Sequence, residues 1–242
     1  MIQDLHFNEY GQPVGPRLEG WQPRALPPRT PLAGHWCRLE PLSVARHAEA
    51  LYAAYSVQAD GRDWTYMPAG PFPSMAALTE YLTKAEASAD PLHHAIIDNA
   101  TGQAVGTLAL MRIDPANGVI EVGAVAYSRL VQRTPMGTEA QFLLMQRIFD
   151  ELGYRRYEWK CNALNAPSRR AAERYGFQFE GIFRQAAVMK GRSRDTAWFS
   201  MLDHEWPAIR PAFVQWLAPE NFDAKGQQRS RLGELVRGAL GR

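Results

Sequence analysis

The residues Gln132-Arg133-Thr134-Pro135-Met136-Gly137-Thr138 stand between a β-rich apolar run and an amphipathic helical pattern. A strand that enters a helix through small and polar residues presents backbone N–H groups at a helix N-terminus, where the helix dipole favours a phosphate. The same arrangement also serves as an ordinary strand-to-helix connection, so alone it leaves both readings open. Just upstream, Glu121 interrupts the apolar run Val119-Ile120-Glu121-Val122-Gly123-Ala124-Val125-Ala126-Tyr127. A carboxylate placed there can serve as a general base, or it can face outward from the sheet. Other chemistries lack their signatures: there is no P-loop, Gly-x-Gly-x-x-Gly, Gly-x-Ser-x-Gly or His-Glu-x-x-His. His93-His94 have no further ligands at metal spacing, so no metal site is expected. Cys161 has no base adjacent in sequence and reads as a buried structural thiol rather than a nucleophile.

These residues need elements to hold them, and periodicity supplies the elements. From Val119 to Phe183 the order is strand, loop, helix, strand, helix, strand. The loop runs from Ser128 to Thr138. In the helix that follows, Phe142, Leu143, Met145, Ile148, Phe149 and Leu152 recur at helical spacing, and Gly153 sits at the C-cap. Tyr157, Trp159 and Cys161 alternate as a strand. Pro167 opens the second helix and Tyr175-Gly176-Phe177 closes it.

This ordered segment resembles the centre of the GCN5-related N-acetyltransferase (GNAT) family, which transfers an acyl group from acyl-CoA to an amine. The family's Gln/Arg-x-x-Gly-x-Gly/Ala loop corresponds to Gln132 through Gly137, followed by Thr138-Glu139-Ala140. Asn165 to Ser168 and Gly176-Phe177 are similar to the branch that modifies ribosomal-protein N-termini. The resemblance covers roughly Cys37 to Trp206. It implies an α/β (α+β) GNAT acyl-CoA N-acyltransferase fold: a mixed, mostly antiparallel twisted sheet with helices on both faces.

The resemblance also assigns roles. Coenzyme A would be gripped by backbone amides of Gln132, Arg133, Thr134, Met136, Gly137 and Thr138. The family's first loop glycine is Pro135 here, which removes one N–H donor, so the Thr134 or Thr138 hydroxyl or the Arg133 guanidinium would substitute. Val125-Ala126-Tyr127 match the strand end that splays from its neighbour, pairs with the pantetheine arm and offers an N–H to the thioester oxygen. Asn165 matches a CoA-contacting asparagine, though a turn role is equally open. The family's tyrosine acid falls on Ala172 and Tyr175 is rotated away, so Ser168 is the candidate acid for the leaving thiolate, with helix capping as its alternative. Glu121 matches the branch's strand glutamate and is the candidate base. Glu158 and Glu180 read as solvent-facing. Arg169 or Arg170 would meet the 3′-phosphate, while Arg169, Arg170 and Arg174 otherwise form a solvated basic face.

The acceptor decides how much a base is needed. Deprotonating an α-amine of pKa near 8 at neutral pH costs about 1 kcal/mol, against roughly 4–5 kcal/mol for a lysine-type amine near 10.4. The expected activity is transfer of acetyl from acetyl-CoA to a primary amine, on a protein N-terminus or a small molecule. Rival readings are a succinyl- or other longer-acyl transferase, and a non-catalytic CoA-binding or protein-interaction module.

The 242 residues allow one large domain with extensions, and a net charge of +2 argues for neither nucleic acid nor an anionic membrane. Two widely spaced cysteines and the lack of a long apolar run point to a cytoplasmic protein. Residues 1–35, rich in Pro, Gly and Arg, read as an extended arm with Trp21 as anchor, and residues 36–217 as the acyltransferase domain. Within it, strands are expected over His35–Leu39, His93–Ile97 and Ala104–Ile113, and helices over Val44–Tyr55, Ser74 to about Ala89 and Glu205–Leu217. A last hairpin joins Phe177–Met189 to Thr196–Leu202. Residues 218–242 form a basic amphipathic tail, suited to packing on its own domain or on a second copy as a homodimer.

Overall fold

The computed structural model describes residues 6–57 and 60–242. A small exposed hairpin of β1 (His6–Phe7) and β2 (Pro13–Val14) precedes an eight-stranded sheet. The sheet comprises β3 (Leu32–Ala33), β4 (Cys37–Pro41), β5 (Leu92–Asp98), β6 (Ala104–Asp114), β7 (Val119–Tyr127), β8 (Arg156–Asn162), β9 (Gln178–Met189) and β10 (Arg192–Leu202). Their spatial order is β3-β4-β5-β6-β7-β8-β10-β9. Every neighbouring pair is antiparallel except β7–β8, which is parallel.

The helices are α1 (Val44–Ser56), α2 (Met75–Ala87), α3 (Pro135–Met145), α4 (Ala166–Tyr175), α5 (Trp206–Leu217) and α6 (Leu232–Ala239). Side chains alternate across a strand, so β5 reports which helices cover which face. Ala95 and Ile97 join the core under α1 and α2, whereas Leu92 and Ile96 join the larger core with α3, α4 and α5. The sheet is thus mixed, mostly antiparallel and covered on both faces. Among the described residues no helix is long and apolar enough to cross a membrane.

Helix boundaries follow local chemistry. The Ser74 hydroxyl accepts from the Ala77 amide and starts α2, while Gly176, at φ 98°, ends α4 in the left-handed region that glycine tolerates. Sequence periodicity starts the helix after the loop near Thr138, but α3 begins at Pro135 with Thr134 as N-cap. Proline's fixed φ suits the first helical position, so Pro135 through Thr138, read as the end of the loop, belong to the helix. The helical pattern also changes pitch, running from Gln146 to Glu151 as a π-turn before Gly153.

The N-terminal arm lies on the domain through specific bonds. Trp21 Nε1 donates to the Ala116 carbonyl at 2.9 Å, and the Arg24 guanidinium sits 4.4 Å from the Trp21 ring centre. Tyr154 Oη donates to the Ala25 carbonyl and Arg147 to the Thr30 hydroxyl. At the other end, Leu232 and Val236 of α6 are buried, with Val236 against Gly176 and Ile209.

A single carboxylate joins α3 to the sheet edge. Glu139 Oε1 accepts from the His35 amide at 2.8 Å, and Oε2 accepts from Trp36 and Cys37 at 2.7 Å each. This explains why β4 starts at Cys37 rather than His35: the two earlier amides point at a carboxylate instead of a strand neighbour. Gly34 is required by the same contact, since a β-carbon there would lie 2.5 Å from Glu139 Cδ. Glu139→Ala strands three amides and should destabilise the protein by about 3 kcal/mol, read by urea denaturation.

His94 supplies a pH test. Burial, followed by the positive charge of Arg147, lowers its pKa from 6.5 to about 4. The unfolded chain therefore takes up a proton that the folded one refuses, and this contribution to stability is lost as pH falls from about 6.5 toward 4. Between pH 7 and 5 the wild type should lose about 2 kcal/mol more than His94→Leu in matched denaturation curves.

Candidate active site

The site is built where two strands part. β7 and β8 pair only from Val119–Arg156 to Val122–Trp159. Beyond that point β8 continues alongside β10, through Cys161–Ala197 and Asn162–Thr196, while β7 continues alongside β6. A bulge drives the separation. Gly123 faces Ala109 and Ala126 faces Thr107, so Ala124 and Val125 share one partner position, and Ala124 adopts φ 47°. The stretch Gly123–Tyr127 therefore keeps an edge without a strand partner on the β8 side.

Charges lock the closed end of this gap. Glu121 and Glu158 face each other in register on β7 and β8, which would repel if left alone. Lys160 Nζ lies between them, 2.8 Å from Glu121 Oε2 and 2.7 Å from Glu158 Oε2. Arg112 reaches Glu121 Oε2 at 2.7 Å, and Arg156 joins Glu158 Oε1 to Glu180. The Lys160 ammonium also sits 3.7 Å from the centre of the Trp198 ring, which stacks on Phe183. Arg156 holds the Glu180 carboxyl below its usual range despite partial burial. Glu158 is buried, which corrects the solvent-facing expectation: on its face of the strand, Arg156 and Lys160 close over both of its carboxylate oxygens.

Glu121 is only 3 % exposed. Its Oε2 carries both cations, whereas its Oε1 lies 3.6 Å from where a β-carbon on Gly123 would sit, toward the parting strands. By alternation, Ile120 and Val122 belong to the α3–α4 face, so Glu121 and Lys160 lie on the α1–α2 face. Ser168 lies on the other side. Its Oγ accepts from Trp159 Nε1 at 3.0 Å, and its amide donates to Asn165 Oδ1 at 3.2 Å. Asn165, not Ser168, caps α4. Burial raises the pKa of the Cys161 thiol, and a hydrogen bond with Ser168 partly opposes that rise. The two candidate catalytic residues thus flank the gap from opposite faces.

The loop entering α3 is tightly folded. Ser128 receives the amides of Leu130, Val131 and Gln132; the Gln132 side-chain amide donates to the Tyr127 carbonyl at 2.8 Å. Thr134 Oγ1 donates to the Val131 carbonyl instead of capping the helix. The first amides of α3 therefore have neither an intrahelical acceptor nor a side-chain cap, and those of Met136 and Gly137 are the donors left at the end facing the loop. Arg133 is exposed and adopts φ 62°. Thr138 is buried, its hydroxyl accepting from Arg174 Nη1 at 3.0 Å. Arg174 is thereby withdrawn from the solvated face expected of it and covers the Trp216 ring, with desolvation lowering its pKa. Arg169 donates to the Ala163 carbonyl and lies over Phe179, and Arg170 remains exposed.

Tyr127 and Tyr175 both turn their hydroxyls to the Gly137 carbonyl, at 2.9 and 3.4 Å, and burial raises the pKa of each. Tyr55 was invisible as a site residue in its helical stripe. It donates to the Ala126 carbonyl at 3.2 Å, on the stretch of β7 that has no partner on its β8 side. Among the described residues, no cluster of three or more metal-ligating side chains exists.

This arrangement could hold a ligand with a diphosphate and a long amide-bearing arm: uncapped amides would meet the phosphates, and a free strand edge would meet the amides. Residues 37–178 match the family model described as an acetyltransferase (GNAT) domain. The crystal structure of a GCN5-related N-acetyltransferase from Brucella melitensis is 54 % identical, covers 90 % of this chain and 99 % of its own, and has a TM-score of 0.89. A structure described as a probable acetyltransferase of the GNAT family from Chromobacterium violaceum is 41 % identical over 81 % of this chain and 98 % of its own, with a TM-score of 0.75. An uncharacterized N-acetyltransferase p20 from Bacillus licheniformis is 32 % identical over 111 residues, 46 % of this chain and 62 % of its own length.

Lys160 is the testable centre of the charge cluster. Lys160→Met leaves two buried carboxylates opposed and should cost about 3 kcal/mol of stability. Adding Glu158→Gln removes one of the charges and should recover part of that loss in a double-mutant cycle.

Proposed function

Because the chain belongs to the GNAT family of acetyltransferases, we propose that it transfers an acetyl group from acetyl-CoA to the primary amine of a small molecule or protein N-terminus. One observation carries this reading: the gap between β7 and β8 opens beside the uncapped first turn of α3. Bound acetyl-CoA supplies an activated acyl group on a thiolate leaving group. Met136 and Gly137 amides hold its diphosphate, aided by the exposed Arg133, while the backbone of Val125, Ala126 and Tyr127 aligns its pantetheine arm. Gln132 and Thr134 act indirectly by fixing the loop, as their side chains bond to Tyr127 and Val131. Asn165 sets the start of α4, which positions Ser168, and Arg169 stands beside it on that helix.

The chain's own groups then divide the proton work across the sheet. The amine enters on the α1–α2 face, where Glu121 Oε1 accepts its proton directly or through one water. Its nitrogen forms the new C–N bond as the C–S bond breaks. Ser168 Oγ, oriented by Trp159, gives its proton to the departing sulfur on the opposite face and regains one from solvent. The products are the amide and the free thiol, with no covalent bond to the protein. The Asn165–Ser168 and Gly176-Phe177 pattern favours the branch that acts on ribosomal-protein N-termini.

Thiol release with acetyl-CoA against an amine panel tests this. Glu121→Gln should lower kcat by about a hundredfold, more for lysine-like than for α-amines, while leaving CoA affinity near wild type. CoA binding without turnover on any amine would favour a non-catalytic module, and faster turnover with succinyl-CoA would favour a longer-acyl enzyme.

A further inference from the structure

On the α1–α2 face, a recess of about 240 Å³ opens between α1 and the segment spanning residues 61–73. Tyr52, Tyr55, Trp64, Pro71 and Phe72 form its main walls, Ser56 stands at its edge, and among the described residues no charged side chain lines it. The rings meet edge to face: Tyr55 and Trp64 at 5.1 Å and 86°, Trp64 and Phe72 at 5.1 Å and 80°. Gly70 is packed so closely on Trp64 that a β-carbon there would collide with its ring.

This recess adjoins the gap between the strands. Tyr55 is a wall of the recess, and its hydroxyl meets the Thr107 hydroxyl and the Ala126 carbonyl, on the stretch of β7 that pairs with β6 but has no partner on its β8 side. The segment above it is fastened to three different structures around the gap. Asp63 pairs with Arg129 of the β7–α3 loop at 2.8 Å, and Tyr66 Oη donates to the Leu164 carbonyl ahead of α4 at 3.2 Å. From the β9–β10 turn, Lys190 Nζ donates to the Trp64 and Gly70 carbonyls at 2.9 and 2.7 Å. The strap therefore crosses the mouth on the face where Glu121 lies.

We propose that this recess holds an uncharged aromatic side chain of the amine acceptor, placing its amine beside β7. An apolar cavity of about 150 Å³ already accepts benzene, so this one suits a phenyl or indole ring with a short linker. Its crossed rings offer both edges and faces to an aromatic guest. The inference rests on the acetyl-transfer reading for its acceptor, but binding in the recess is measurable without turnover.

The full-length protein is titrated calorimetrically, with CoA present, using 2-phenylethylamine, ethylamine and phenyltrimethylammonium, and the two primary amines are then compared as acceptors. The expected result is at least tenfold tighter binding of 2-phenylethylamine than of ethylamine, with a matching ratio in kcat/KM. Ser56→Phe, which fills the recess from an exposed position, should collapse both ratios while CoA affinity holds. Ser56→Leu fills less and should give an intermediate loss, which also covers the case in which the phenylalanine variant does not fold. Equal binding of the two amines, or ratios untouched by either variant, overturns the proposal. Preferential binding of phenyltrimethylammonium also overturns it, by making the recess a cation cage. Ser56-sensitive aromatic binding with no turnover on any amine would sustain the recess while removing the catalytic reading.

Discussion

Everything at the site depends on how briefly two parallel strands stay together. β7 and β8 share pairing only as far as Val122 and Trp159, and the bulge at Ala124 and Val125 then turns β7 away. Unpaired backbone inside a sheet is costly unless something else meets it. Each strand keeps its other neighbour, so only the facing edges are free, and those edges are what a pantetheine-like arm can use. The Lys160 bridge between Glu121 and Glu158 holds the closed end of this opening, so the separation begins at a defined residue.

The surrounding elements orient groups toward that opening from both faces. Glu139 fixes α3 to the start of β4 by three charge-assisted bonds, which sets the direction in which the first turn of α3 points. Thr134 turns its hydroxyl back into the loop, leaving the helix amides unclaimed. On the other face, the strap over residues 61–73 is tied to Arg129, Leu164 and Lys190. In the proposed reaction, the gap would let Glu121 and Ser168 act on one bond from opposite faces.

The strands and helices were legible wherever one face is apolar and the other polar, as in Val44–Ser56 and the Tyr157-Trp159-Cys161 alternation. The start of α3 is hidden in the sequence because Pro135 resembles a loop residue, although its fixed φ is helical. The burial of Glu158 is not legible in the sequence, because alternation reports two faces but not whether each is covered. Glu139 looked like any helical glutamate; its three amide partners lie about a hundred residues earlier, and nothing local announces them. Tyr55 and Trp64 were hidden for the same reason. Aromatic residues in a helix and a proline-rich turn read as core, and only the tertiary fold brings them to one recess beside β7.

The central claim is that the α3 N-terminus and the parting strands together hold coenzyme A. A crystal structure with saturating coenzyme A tests it most directly. The account predicts diphosphate oxygens within hydrogen-bond distance of the Met136 and Gly137 amides, with the pantetheine arm running along Val125–Tyr127. Coenzyme A bound elsewhere, or the Pro135 ring occupying the diphosphate position with the first turn of α3 empty, would contradict it.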